Sequence, residues 1–288
     1  MSKKRISTKA GTAILATIAL GTYIMTGTLG DVIRSTPDGM QQIDANSDTE
    51  LAALLPSSVG NNQIVWHKAF VLSYNDRHEQ ADWVFYRLTR DMVSGSTERN
   101  VDFVEDPDVS NGTATTHDYS RSGYDRGHLC ASADIRNDDV AHDETYYMSN
   151  MSPQVHEFNA GIWNDLEMQT RAWARKKGTI YVATGPILSD NLEKIEKYKT
   201  GRKEAARSHY NGVSVPNEYY KILYCPDDGG HMIAYRLRNE AYDENDYPNK
   251  HCVSVDNIEE ATGINFFAGV PNEDRLEKQV GGVAWWRN

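Results

Sequence analysis

The densest stretch of residues able to do chemistry is Tyr124-Asp125-Arg126-Gly127-His128-Leu129, followed by Asn150-Met151-Ser152-Pro153-Gln154 and by Phe158-Asn159-Ala160-Gly161-Ile162-Trp163-Asn164-Asp165-Leu166-Glu167. Imidazole, with an unperturbed pKa of ~6.5, is a suitable general base near neutral pH. Arginine forks onto phosphate oxygens as charge builds on phosphorus. Each piece alone is weak, because a lone histidine is more often a surface or core residue than a catalyst. Their order and spacing carry more. Asn159, Trp163, Glu167 and Arg171 follow one another at intervals of four, and such steps on a helix drift by only ~40°, so one sloping stripe is expected. Glu167 would then stand ~12 Å along the axis from Asn159, too far to ligate the same ion but within reach of a water bound to it. One amide oxygen completed by waters suits magnesium, which gives up its hydration shell reluctantly.

Asp-Arg-Gly-His, then Asn-x-x-Pro-Gln, then Asn-x-Gly-x-Trp-x-x-Leu-Glu resembles the signature of the DNA/RNA non-specific endonucleases, the ββα-metal nucleases. Upstream, Ala81-Asp82-Trp83-Val84 and Thr97-Glu98-Arg99-Asn100 resemble that family's entry strand and first arginine; downstream, Ala183-Thr184-Gly185-Pro186 and Val255 to Gly263 resemble its later strand and helix. The resemblance implies that His128 is the general base, that Asn159 is the one side chain ligating the metal, and that Glu167 holds a metal-bound water. It further implies that Asn150 buttresses the site and that Arg126, Arg99 and Arg171 meet phosphate and transition state. It implies magnesium as cofactor, with manganese as a substitute, and DNA and RNA as partners, cut to 5′-phosphate ends. A catalytically weak nucleic-acid-binding module of the same fold is the alternative.

The elements that must position these residues are read from periodicity. Ile64–Tyr74, Trp83–Thr89, Thr179–Thr184, Tyr219–Tyr224 and His231–Leu237 have strand patterns. Helices are expected over about 159–176 and over 256–262, the second with Asp256 as N-cap, Glu259 three residues on and Gly263 as stop. Strands and helices do not alternate strictly, which disfavours a doubly wound parallel sheet. The expected class is α+β, a ββα-metal nuclease fold with a mixed or antiparallel sheet flanked by helices.

Bland roles compete for several residues. Asp125 is expected to orient a neighbour rather than act in catalysis, and Trp163, Leu166 and Trp173 to be core contacts of the helix. Arg175-Lys176-Lys177 reads first as a solvated helix end. Tyr119, Tyr124, Tyr146 and Tyr147 could stack on bases, although packing is the commoner role. Cys130 reads as a packing residue, and whether Cys225 and Cys252 pair is left open by spacing alone.

Composition bounds the rest. With Lys+Arg 30 against Asp+Glu 41 the net charge is −11 over 288 residues, which excludes coating of nucleic acid through bulk charge but not a local grip on a few phosphates. Near-average Gly 21 and Pro 9 exclude collagen-like and low-complexity chains, and three cysteines are too few for a disulfide scaffold. His156-Glu157 lacks the second histidine of a zinc-protease helix, because position 160 is Ala. A serine-hydrolase elbow is missing as well. Lys3, Lys4, Arg5 and Lys9 precede an uncharged run over 10–30, the pattern of a signal peptide or an N-terminal membrane anchor. The expected organisation is 1–30 for that segment, 31–59 as a polar linker and 60–288 as the nuclease domain, lying outside the cytoplasm.

Overall fold

The structure is a computed structural model that describes residues 45–98, 101–195 and 212–287. Its compact unit runs Glu50–Asn288. The described strands are β1 (Gln63–Trp66), β2 (Val71–Asn75), β3 (Gln80–Thr89), β4 (Asp125–His128), β5 (Met151–Gln154), β6 (Thr179–Pro186), β7 (Glu218–Cys225), β8 (His231–Arg238) and β9 (Cys252–Val253). Seven form one sheet in the order β1-β2-β3-β6-β7-β8-β9, every neighbour antiparallel, while β4 and β5 make a separate hairpin. The α+β class with an antiparallel sheet is what the sequence patterns indicate.

Period-two alternation gives the sheet two apolar faces. Ile180 and Val182 of β6 join Val84, Tyr86, Leu223 and Tyr235 on one face, and Tyr181 and Ala183 join Phe85, Ile222 and Ala234 on the other. Helix α1 (Asn164–Lys177) covers the first face with Leu166, Trp173 and Ala174. Helix α2 (Val255–Thr262), the segment Ile264–Val270 and helix α3 (Glu273–Glu277) cover the second. Leu51, Leu54 and Leu55 also pack on this second face, so the apolar patch in the stretch read as a linker is joined to the folded unit.

Three local expectations are corrected. Ile64–Tyr74 is two strands, not one, because His67-Lys68-Ala69-Phe70 closes a turn with His67 N–H donating to the Phe70 carbonyl at 2.8 Å. Ser254 rather than Asp256 caps α2, its hydroxyl accepting from Asn257 N–H at 3.2 Å. Asp256 is left in the first turn, where the helix dipole favours an anion. The stop is as expected, Gly263 taking φ 71°, where an L side chain is strained. Third, regular α-helix begins only at Asn164: Asn159–Trp163 is a π-helical turn with non-helical angles at Gly161 (φ −99°, ψ −116°). The stripe from Asn159 is therefore broken, and only Glu167 and Arg171 keep their spacing of four within the regular helix.

Cys130, Cys225 and Cys252 are all free thiols. Cys130 is fully buried, and burial pushes its thiol well above the ordinary range, in keeping with a packing residue. The last turn of α1 is the solvated basic end its sequence suggests, with Arg175 and Lys176 exposed and Lys177 half-buried. Arg175, Lys176 and Lys177 donate to the carbonyls of Val93, Arg287 and Trp285, and Lys177 also sits 3.7 Å over the Trp285 ring.

Candidate active site

Hairpin register places the chemistry. In β4–β5, Asp125 faces Gln154, Arg126 faces Pro153, Gly127 faces Ser152 and His128 faces Met151. A Cβ at position 127 would fall 2.2 Å from the Gln154 carboxamide, so glycine there lets that buried side chain lie against the strand. Gln154 is fully buried, and both its amide atoms are without a partner among the described residues. The His128 ring is wedged by Phe103 (centroids 5.7 Å) and by the edge of Tyr146 (5.1 Å, 89°). Phe103 also carries Arg126, whose Cζ lies 4.7 Å from the ring centroid. The Arg126 Nε is buried with no acceptor among the described residues. Imidazole and guanidinium are thus held by one aromatic ring, which favours a cation over its face.

Asn159 stands in the π-helical turn that follows the hairpin. Its Nδ2 donates to Asp125 Oδ2 at 3.0 Å, and His156 Nδ1 contacts the same oxygen at 2.8 Å. A carboxylate can only accept, so the amide nitrogen must face it and the carbonyl oxygen points away. Asp125 therefore orients a neighbour, as its sequence context indicates, and leaves Asn159 Oδ1 as a hard, half-buried oxygen of the kind magnesium takes. The same contact raises His156, through the hydrogen bond and charge of Asp125.

Asn150 is fully buried and makes a clasp. Its Oδ1 accepts from Cys130 N–H at 2.9 Å, and its Nδ2 donates to the carbonyls of Cys130 at 2.9 Å and Thr145 at 2.8 Å. The Asn150 carbonyl accepts from Leu129 N–H at 3.0 Å. The residues just after His128 are thereby fixed, which matches a buttress rather than a group that touches substrate.

Behind the hairpin lies a buried charge cluster. Glu167, 14% exposed, is pushed up to about 7, chiefly by burial and against the opposing charges of Lys221 and Arg171. Arg171 is 11% exposed and donates to Asp134 Oδ1 at 3.0 Å, with Glu167 Oε2 at 3.8 Å. The ion pair with Asp134 turns this guanidinium group toward the cluster, beside Glu167. Asp134 takes a second hydrogen bond from Tyr86 OH at 2.8 Å. Lys221 is fully buried, 4.8 Å from the centroid of Trp163, and its Nζ lacks a hydrogen-bond partner among the described residues. Burial pushes Lys221 down, while Glu167 and Asp134 hold it up.

The hairpin and the turn after it bring Arg126, His128, Asn150 and Asn159 into one structural unit, and α1 adds Glu167. Arg99 lies outside the described residues. Phe103, Asp134 and Lys221 carry no motif that would single them out in the sequence. Lys221 had a signal, because in Tyr219-Tyr220-Lys221-Ile222-Leu223 alternation puts it on the same face as Tyr219 and Leu223. Tyr146, 6% exposed against His128, packs and does not offer a face to bases.

A hairpin bearing imidazole and guanidinium, followed by a helical turn bearing an oriented amide, defines a ββα nuclease site on an α+β scaffold. The model of the DNA/RNA non-specific endonuclease family matches residues 50–273, and the chain belongs to that family. It is 35% identical over 217 residues to mitochondrial endonuclease G of Homo sapiens, covering 74% of this chain and 71% of the relative. It is also 35% identical over 212 residues to nuclease C1 of Cunninghamella echinulata var. echinulata, covering 69% and 81%. The crystal structure of an EndoG/EndoGI complex aligns with a TM-score of 0.64 at 30% identity, over 81% of this chain and 93% of the other.

Proposed function

We propose that this chain is a magnesium-dependent endonuclease that hydrolyses phosphodiester bonds of DNA and RNA to 5′-phosphate ends. The observation that carries it is Asn159, oriented by Asp125 so that its amide oxygen is open, on the turn after the hairpin that holds His128 and Arg126. His128 takes a proton from the attacking water, whose oxygen bonds to phosphorus as the bond from phosphorus to the 3′-oxygen breaks. The leaving oxygen gains its proton from solvent, giving a 3′-hydroxyl and a 5′-phosphate. Arg126 meets the charge that builds on the phosphoryl oxygens. Magnesium, or manganese in its place, would be held by Asn159 and supply positive charge opposite the scissile phosphate and the leaving oxygen. Glu167 orients water near that position, with Arg171 and Lys221 setting its charge. Contacts to backbone phosphate rather than base edges account for a broad substrate range. We also propose that the protein acts outside the cytoplasm, by signal peptide or anchor, on the strength of the basic residues ahead of the uncharged run 10–30. Those residues lie outside the described ones, among which no helix is long and apolar enough to cross a membrane.

The test is cleavage of supercoiled plasmid and of single-stranded RNA with magnesium and with EDTA. Magnesium-dependent loss of both is expected, and intact substrates with folded protein would sink the proposal. Asn159→Ala is expected to raise the magnesium concentration for half-maximal cleavage at least about tenfold, whereas Asn159→Asp keeps an oxygen ligand and retains more activity. Equal magnesium curves for Asn159→Ala and wild type would remove Asn159 from the metal.

A pH effect follows from Glu167. Its folded-state pKa of about 7 stands above its ordinary value of 4.5, so the folded protein binds this proton more tightly than the unfolded chain. Stability contributed by the group is therefore lost as pH rises from about 4.5 to about 7. Activity runs the other way, since the ionised form is needed to orient water. Lys221→Met removes the largest charge opposing the rise, and the acid limb of the rate profile is expected to move to higher pH. A limb that stays in place or moves down would disconnect Lys221 from Glu167.

A further inference from the structure

A second group of chemistry-bearing residues sits on the opposite face of the sheet. Asp256 and Glu259 of α2 and Glu277 of α3 each present a carboxylate oxygen within 4.8 Å of the other two. Two oxygens on opposite sides of a calcium ion, each at about 2.4 Å, stand about that far apart. Glu277 is 8% exposed, and its Oε1 is buried with no hydrogen-bond partner among the described residues. The charges that act on Glu277 are those of Glu259, Glu273, Asp256 and Asp274, all acidic. Asp256 and Glu273 are likewise the charges that act on Glu259. Glu259 Oε1 accepts from Phe266 N–H at 2.8 Å, so one of the three is already fixed by backbone. A buried carboxylate among carboxylates is costly in its charged form unless a cation joins it, and without one it holds its proton up to about 7.

We propose that Asp256, Glu259 and Glu277 form a second divalent-cation site, of calcium type, that fastens α3 to α2. The donor set is oxygen alone, which disfavours zinc and copper; calcium accepts irregular sets of carboxylates completed by water, where magnesium demands a near-octahedral shell. The ion would brace the segment between the two helices, where Phe266 meets Tyr220 (5.3 Å) and Phe267 meets Phe85 (5.6 Å) and Tyr224 (5.4 Å). The site's role is structural, on the face away from His128.

The experiment uses the full chain, stripped with EDTA and titrated with calcium chloride alone, followed by calorimetry and thermal unfolding. Asn159→Ala serves as background, so that the proposed catalytic ion does not contribute. One site is expected to remain in that variant, with Tm rising by roughly 5–10 °C at a hundredfold excess of calcium over Kd. Both signals should vanish in Asn159→Ala/Glu277→Gln and in Asn159→Ala/Asp256→Asn. The Glu277→Gln protein should be at least as heat-stable as its parent in EDTA, because a neutral amide replaces a buried carboxylate, so loss of the calcium response will not reflect misfolding. No calcium binding in the Asn159→Ala background, or an undiminished response in Asp256→Asn, would overturn the proposal. Calcium stoichiometry in the otherwise unmutated chain is expected to fall by one on Glu277→Gln, and an unchanged stoichiometry there would overturn it as well.

Discussion

Replacing His128 by Ala is expected to lower the cleavage rate of plasmid and of single-stranded RNA by about 10³-fold, within the 10²–10⁴ that a positioned general base supplies. The protein should remain folded. The ring lies in a hairpin against Phe103 and Tyr146 rather than in the main core, so its loss removes two aromatic contacts and leaves the seven-stranded sheet untouched. Rates at saturating magnesium, read beside thermal unfolding, separate the two quantities. A rate within tenfold of wild type in a folded protein would mean that another group takes the proton.

Asn150→Ala should act on stability first. Three hydrogen bonds disappear together, and Cys130 N–H, Cys130 C=O and Thr145 C=O are left facing a void in a fully buried place. A buried group left without a partner costs about 1–3 kcal/mol. With some relief from an entering water, the sum is expected to be about 3–5 kcal/mol, or a fall in Tm on the order of 10 °C. Denaturant unfolding at fixed pH measures it. Asn150→Asp should also destabilise, because it keeps an acceptor for Cys130 N–H yet turns a carboxylate oxygen toward two carbonyls. A cost under about 1 kcal/mol for the alanine variant would reduce the clasp to an ordinary surface contact.

What can be read in the chain without its fold is local. The alternation of β3, β6, β7 and β8, the glycine stop of α2 and the ordered run from Asp125 to Glu167 are all written within short windows of sequence. Those windows fail where the decisive partner is distant or the local signal is mute. His67-Lys68-Ala69-Phe70 turns without glycine, proline or asparagine. A spacing of four fits both a continuous helix and one interrupted by a π turn, and only Gly161 hints at the interruption. The pairing of Arg171 with Asp134, 37 residues earlier, is written in neither local window. Lys221 and Phe103 reach the site from a sheet strand and a loop remote from its motifs; alternation gives the sheet face of Lys221 but not its neighbours, and nothing local marks Phe103.

In the phosphate-binding role proposed for Arg126, its seat over Phe103 bears on the entropy of the encounter with substrate. A free arginine side chain has about 2 kcal/mol of rotamer freedom to lose when it is immobilised on a ligand. Here much of that freedom is lost when the chain folds, because the guanidinium already rests on an aromatic plate. Tenfold in equilibrium corresponds to about 1.4 kcal/mol, so a preset arginine can gain roughly an order of magnitude in grip on phosphate over a floppy one. An acidic chain that carries few cations to spare draws its hold on a polyanion from such stiffness rather than from the number of its positive charges.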